Sequence, residues 1–156
     1  MTAHSRKPMT TAAGYLSAPP GEVADLVLGV PAEAGEADNL ILRTHGTESV
    51  TGGPDHFKVT YPGGRLTVDV DRERGTIAAQ GGWWYRGEYT VSGAEGGGTI
   101  LTLRVYNVAK PLSRWAVPLA NRFFRGFEEQ TRESLRGTVG DLGGRLGCES
   151  RLIEDH

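Results

Sequence analysis

The side chains best suited to chemistry in this chain are phenols, an indole and an amide in two neighbouring segments. Trp83, Tyr85 and Tyr89 lie two or four residues apart, and Asn107 ends the next apolar segment. Alternate residues of a β-strand point to the same face, so these four side chains would share one face of a sheet. Aromatic walls with a few hydroxyl and amide groups suit a flat apolar ligand.

Other aromatic residues are expected to reach the same volume. Tyr61 ends an earlier alternating segment, and Phe123 and Phe127 lie on the apolar face of a predicted C-terminal helix. Two alternatives stay open, because inward aromatic residues are more often core packing than ligand walls, and Asn107 also suits a cap for the loop before Pro111. The predicted ligand-binding residues are Tyr61, Trp83, Tyr85, Tyr89, Asn107, Phe123 and Phe127.

Trp84 follows Trp83 directly, so a strand through both would turn Trp84 to the outer face, next to Arg86. An exposed indole on a sheet typically marks a contact. We therefore expect Trp84 either to form part of a homodimer contact or to be covered by the first helix.

The sequence contains no grouping with the spacing of a familiar catalytic or metal centre. It has no Gly-x-Ser-x-Gly motif and no nucleotide-binding glycine loop between strand and helix. His45 and His56 would meet across one hairpin, but two imidazoles without a third ligand make a weak zinc site. Glu48 is the one carboxylate that alternation from Leu42 brings inward, and a bulge at Gly46 would reverse it. We predict no cofactor and no metal, and catalytic residues stay unknown.

Composition narrows the class of protein. A chain of 156 residues suits one domain, and a net charge of -2 with a pI near 6.1 gives no general attraction to nucleic acid. No stretch approaches the ~20 apolar residues of a membrane span. Cys148 is the only cysteine, which favours a cytoplasmic location. We predict a disordered leader over 1–9, a single domain over 10–146 and a polar tail over 147–156.

Apolar and polar residues alternate from about Asn39 to Val108, and glycine-rich turns separate the segments. Alternation with one polar face is typical of half-buried antiparallel strands, and short turns make neighbours pair as hairpins. With an N-terminal strand from Thr10 to Ser17, about seven strands are expected. The alternating sets include Leu40, Leu42 and Thr44, then Phe57, Val59 and Tyr61, then Leu66, Val68 and Val70.

Two helices accompany these strands. The first begins near Pro20, where proline suits an initial helical turn, and carries Val23, Leu26 and Val27 at helical spacing. The second is a long amphipathic helix that we expect to start at or just before Pro118 and to fray by Leu146. The fold class is therefore α+β, with an antiparallel sheet wrapped around a long C-terminal helix.

Three passages resemble the START and polyketide cyclase-like superfamily, also called SRPBCC. They are the strand-to-helix passage from Tyr15 to Leu26, the hairpin from Arg86 to Tyr106, and the helix segment from Pro118 to Arg125. The resemblance implies a helix-grip fold with a cavity between sheet and C-terminal helix. Members of this superfamily hold lipids, sterols, polyketides or hydrophobic hormones there, and some cyclise or dehydrate a polyketide.

We expect the protein to bind a lipid-like, polyketide-like or aromatic molecule in that cavity. The alternative is a cyclase or aromatase in which Tyr85, Tyr89, Asn107 or Glu48 orients enol and carbonyl oxygens. A third possibility is a protein-interaction module that uses the outer sheet and Trp84.

Overall fold

The computed structural model describes residues 7–29, 49–62, 64–81, 84–109 and 126–153. Within these ranges, eight strands form one antiparallel sheet and two helices lie against it, which confirms the α+β prediction. The sheet order is β2-β3-β4-β5-β6-β7-β1-β8. The strands are β1 Thr10–Leu16, β2 Ser49–Gly52, β3 His56–Tyr61, β4 Gly64–Asp71, β5 Thr76–Gly81, β6 Tyr85–Gly93, β7 Thr99–Asn107 and β8 Ser150–Ile153, and the helices are α1 Pro20–Leu28 and α2 Phe127–Leu146.

The sheet has one apolar face, which we call the inner face because both helices pack on it, and one polar outer face. Alternation of buried and exposed residues produces this division and is regular in β4, as predicted for β3 and β4. The predicted set Leu40, Leu42 and Thr44 lies outside the described residues. Aliphatic side chains dominate the buried inner face, including Leu16, Val59, Val68, Ile77, Leu101 and Val105.

Helix α1 begins at Pro20, as expected, with Pro19 in an extended conformation before it. Proline lacks the backbone N–H that an initial helical turn would leave unpaired, so this start costs little. Val23, Val27 and Leu28 are buried, and the helix lies against β5, β6 and β7. It closes the inner face over the central hairpins.

Helix α2 begins at Phe127, later than the start at or before Pro118 that the apolar spacing predicted. Gly126 adopts φ 72° and ψ 3°, a left-handed conformation that a right-handed helix cannot pass through, so the helical segment cannot extend back across it. Residues 110–125 lie outside the described ranges. The helix ends at Leu146, followed by Gly147 at φ 61°. Neither described helix is long and apolar enough to span a membrane.

The predicted polar tail contains a strand. β8 pairs with β1 at the edge of the sheet, and Leu152 packs against the core. Two glycines bring strands and helix unusually close: a Cβ on Gly14 would lie 2.6 Å from Cγ2 of Val139, and one on Gly143 would lie 2.6 Å from Oγ of Ser150. Because the missing methyl groups leave room, α2 packs directly on β1 and β8.

Candidate functional site

Four aromatic side chains gather where the start of β6 meets the first turns of α2. We call this group of Trp84, Tyr85, Tyr89 and Phe127 the aromatic corner. The Trp84 ring lies 5.7 Å from the Tyr85 ring, at 82° to it, and 5.9 Å from the Phe127 ring. Trp84, Tyr85 and Phe127 are only partly buried, whereas the neighbouring aliphatic side chains of the inner face are sealed. The aromatic corner therefore lies at the edge of the buried core, where the core meets solvent.

The side chain of Tyr85 lies along its own strand, over Gly87. Its hydroxyl lies 2.7 Å from the point that a Cβ on Gly87 would occupy, so the glycine makes room for the phenol. The Tyr85 hydroxyl takes part in none of the hydrogen bonds formed among the described residues. Burial, reinforced by the nearby Tyr89, raises the pKa of Tyr85 from 10.0 to about 12. The phenol thus remains a neutral donor at any physiological pH.

Tyr89 is more deeply placed and reaches the helix. Burial raises its pKa, and interactions with the hydroxyls of Thr138 and Ser134 partly oppose that rise. Thr138 donates its own hydrogen to the backbone oxygen of Ser134 at 3.1 Å. Its oxygen therefore remains an acceptor that suits the Tyr89 phenol.

The hydroxyls on α2 were missed in the sequence. Thr131 and Thr138 are buried on the same side of the helix as Leu135 and Leu142, and Thr131 donates to the oxygen of Phe127 at 2.9 Å. The signal was present, because Phe127, Thr131 and Leu135 follow one another at intervals of four. A pattern of apolar residues alone does not include these threonines, although a threonine whose hydroxyl bonds its own helix can lie on a buried face.

Of the seven predicted ligand-binding residues, the structure brings four together. Tyr85, Tyr89 and Phe127 share the aromatic corner, and Asn107 lies directly opposite Tyr85 in the pairing of β6 with β7. Asn107 accepts a hydrogen bond from the Ala109 N–H at 3.0 Å through Oδ1, which is the loop-capping contact considered as an alternative. Trp83, Phe123, the side chain of Tyr61, and Glu48 lie outside the described residues.

The outward placement predicted for Trp84 is wrong. β6 begins at Tyr85, so strand alternation does not extend back to Trp84, which lies in the preceding turn. Its ring instead packs against Tyr85 and Phe127. The indole belongs to the aromatic corner, and the argument for a homodimer contact through an outward Trp84 loses its basis.

The outer face carries a separate charged network centred on Arg86, which is only 4% exposed. Its guanidinium contacts Asp69 and Gln80 at 3.2 Å and Glu88 at 3.3 Å. Asp69 also pairs with Nδ1 of His56 at 2.6 Å, directly across the β3–β4 ladder. No group able to hold a metal ion occurs among the described residues. The network balances the buried cation of Arg86 with the carboxylates of Asp69 and Glu88. His45, which was considered with His56 as a weak zinc site, lies outside the described ranges.

Fold and site together define an α+β protein in which one antiparallel sheet packs on a C-terminal helix, an arrangement consistent with a helix-grip fold. The chain matches no model of a known family, and no curated protein matches it. A solved structure, TTHA0849 from Thermus thermophilus, is similar over 88% of this chain and 95% of its own, with a TM-score of 0.50 and 18% identity. DR_A0006 from Deinococcus radiodurans has a TM-score of 0.38 and 20% identity over 78% of this chain and 97% of its own. The similarity to the Thermus protein concerns the fold alone.

Proposed function

We propose that this protein binds a hydrophobic small molecule between the inner face of its sheet and the C-terminal helix, at the aromatic corner. One observation carries the proposal. Tyr85 and Phe127 stay partly exposed although they pack against a sealed aliphatic core, and Trp84, whose ring packs against both, is also partly exposed. Aromatic side chains bring large apolar surfaces to a contact, and an apolar ligand that covered them would remove that surface from water.

The fold supports the same proposal. A sheet that packs on one long helix resembles the helix-grip arrangement of the SRPBCC superfamily, in which this interface holds lipids, sterols or polyketides. The resemblance supports this interface as the place of the proposed ligand and leaves the identity of the ligand to experiment. We propose a lipid-like, polyketide-like or aromatic ligand and a cytoplasmic location.

Titration with Nile red, an uncharged dye that fluoresces in apolar surroundings, tests the proposal. We expect saturable binding to the purified protein, weakened at least 10-fold in Phe127→Ala because the ring forms one side of the aromatic corner. Leu146→Ala is the matched control, since Leu146 is a partly buried side chain near the other end of the same helix. Its affinity should stay within 2-fold of the wild type, and circular dichroism verifies that both variants fold.

Native mass spectrometry of freshly purified protein provides an independent measurement, because a tightly held apolar compound would appear as added mass. The proposal is refuted if no apolar compound copurifies and Nile red does not bind. It is equally refuted if Phe127→Ala binds the dye as well as the wild type does.

A cyclase or aromatase acting on a polyketide-like substrate is the second candidate, and the two adjacent phenols favour it. Tyr85 and Tyr89 are close enough to affect each other's ionisation, and burial holds both in the neutral, donating form. Tyr85, which donates to none of the described residues, would stabilise charge that develops on an enol or carbonyl oxygen. Incubation with a synthetic poly-β-ketone thioester tests this, and unchanged product profiles in Tyr85→Phe and Tyr89→Phe would count against it.

A further inference from the structure

The polar groups within the aromatic corner are all uncharged among the residues described. They are the phenols of Tyr85 and Tyr89 and the hydroxyls of Thr131, Ser134 and Thr138. The one buried charged residue in the described ranges is Arg86, which lies on the outer face and is paired there.

The charged residues of α2 do not change this. Glu129, Glu133, Arg136 and Arg145 are exposed, and half-buried Arg132 lines a surface depression together with Glu128 and Glu129. Gly126, the chain neighbour of Phe127, also lines that depression, so Arg132 and two carboxylates lie beside the aromatic corner. The polar groups within the corner itself are neutral donors and acceptors.

The Tyr85 hydroxyl differs from those of Thr131, Thr138 and Tyr89 in forming no hydrogen bond with any described residue. Thr131 and Thr138 donate to backbone oxygens of their own helix, and Tyr89 is directed at the helix hydroxyls. Tyr85 donates to none of the described residues, and its oxygen lies over Gly87, on the inner face of β6. It is the described donor best placed to reach an acceptor atom of a ligand.

The surroundings of the two phenols oppose a negative charge. The burial that raises the pKa of Tyr85 to about 12 acts by making an anion unfavourable at that position. A ligand carboxylate or phosphate would meet the same desolvation, and the cation beside the corner, Arg132, is accompanied by the carboxylates of Glu128 and Glu129. A carbonyl or hydroxyl oxygen loses far less hydration and gains a hydrogen bond.

We propose that the aromatic corner selects uncharged apolar molecules that carry a carbonyl or hydroxyl oxygen, and that Tyr85 recognises this oxygen by donating its phenolic hydrogen. The proposal rests on the proposed binding function and adds the chemical class of the ligand. It separates ketones, phenols and alcohols on an apolar frame from fatty acids and phospholipids.

Three probes that share one bicyclic frame test the selection: 2-ethylnaphthalene, 2-acetylnaphthalene and 2-naphthoate. Each displaces Nile red at pH 8, where the naphthoate is ionised, from the wild type, Tyr85→Phe and Tyr15→Phe. Tyr15 is the matched control, because its ring lies on the outer face of the sheet. The guanidinium carbon of Arg151 lies 5.0 Å from the centre of that ring. Removing its hydroxyl makes the same chemical change on the opposite side of the sheet.

We expect the ketone to bind the wild type about 2- to 10-fold more tightly than the hydrocarbon, the range of one neutral hydrogen bond. The naphthoate should bind at least 10-fold more weakly than the ketone. Tyr85→Phe should abolish the preference for the ketone over the hydrocarbon, whereas Tyr15→Phe should retain that preference.

Two results separate failure of this inference from failure of the proposed function. If 2-ethylnaphthalene binds but the ketone preference is absent, or persists in Tyr85→Phe, the selection by Tyr85 is wrong and the binding function stands. The same conclusion follows if the naphthoate binds best. If neither Nile red nor any of the three probes binds, the binding function and the inference fall together.

Discussion

Replacing Gly14 with alanine should destabilise the protein, although glycine-to-alanine changes in unstrained strands usually stabilise by about 0.4–1 kcal/mol. The new Cβ would lie 2.6 Å from Cγ2 of Val139, well inside van der Waals contact. It would also lie 3.4 Å from the backbone oxygen of Arg151 in β8. Either α2 moves away from β1 or Val139 leaves its preferred rotamer, and overpacking of this kind costs about 1–3 kcal/mol.

A matched control reverses the sign. Gly137 lies in α2, and a Cβ there would meet nothing within 4 Å. Gly137→Ala should therefore raise the free energy of unfolding by about 0.5–1 kcal/mol through helix propensity alone. The two variants make the same chemical change and differ in what the added methyl group meets.

Val139→Ala completes a double-mutant cycle with Gly14→Ala. Alone it removes two buried methyl groups and should cost about 1.6–3 kcal/mol. In the double variant, the methyl group added in place of the Gly14 hydrogen occupies part of the space that Val139 vacates. The double variant should therefore lose at least about 1 kcal/mol less than the two single effects added together.

Urea unfolding followed by circular dichroism and tryptophan fluorescence measures all four free energies. The reasoning is refuted if Gly14→Ala is as stable as the wild type or more so. It is also refuted if the two single effects are additive, since Gly14 and Val139 would then not compete for one volume.

Three further changes follow from single contacts. The folded protein holds the Tyr85 proton more tightly than the unfolded chain does, with a pKa of about 12 against 10.0. The free energy of unfolding should therefore fall as the pH rises from 10 to 12, and the fall should be smaller in Tyr85→Phe. Urea midpoints measured at each pH test this. Arg86→Met should lower the free energy of unfolding by about 2–3 kcal/mol, because it leaves the carboxylates of Asp69 and Glu88 without their cation. Arg136→Met, on the exposed face of α2, should lower it by less than about 0.5 kcal/mol. Equal urea midpoints for the two variants would contradict this. Asn107→Ala should cost about 1 kcal/mol through the lost bond to Ala109 and leave Nile red affinity within 2-fold, and a larger loss of affinity would assign the amide to the ligand.

The two faces of the central strands were predictable because alternation is a local property of an extended chain. Phe57 and Val59 lie on one face and Lys58 on the other whatever the rest of the protein does, and the apolar face is the one that is buried. The same local logic placed Tyr85 and Tyr89 on one face and started α1 at Pro20. These predictions needed no knowledge of distant residues.

Errors arose where a boundary or a partner decides the outcome. The outer-face prediction for Trp84 extends β6 back through Trp83 and Trp84, whereas the strand begins at Tyr85. The early start predicted for α2 follows an apolar spacing that continues through Gly126. The predictions include no strand after Cys148, because the four residues of β8 pair only with β1, far away in sequence. A short edge strand carries little signal of its own.

The sequence by itself determined the periodicities, and with them the α+β class, the apolar faces and the shared side of the two phenols. Only the tertiary structure decided that α2 packs within contact of Gly14, that Tyr89 meets Thr138, and that the Tyr85 hydroxyl has no described partner. The physical reason is that burial and hydrogen bonding depend on which elements meet. A residue's own type and its near neighbours set the direction in which a side chain points, and the surroundings it meets there are set by residues distant along the chain.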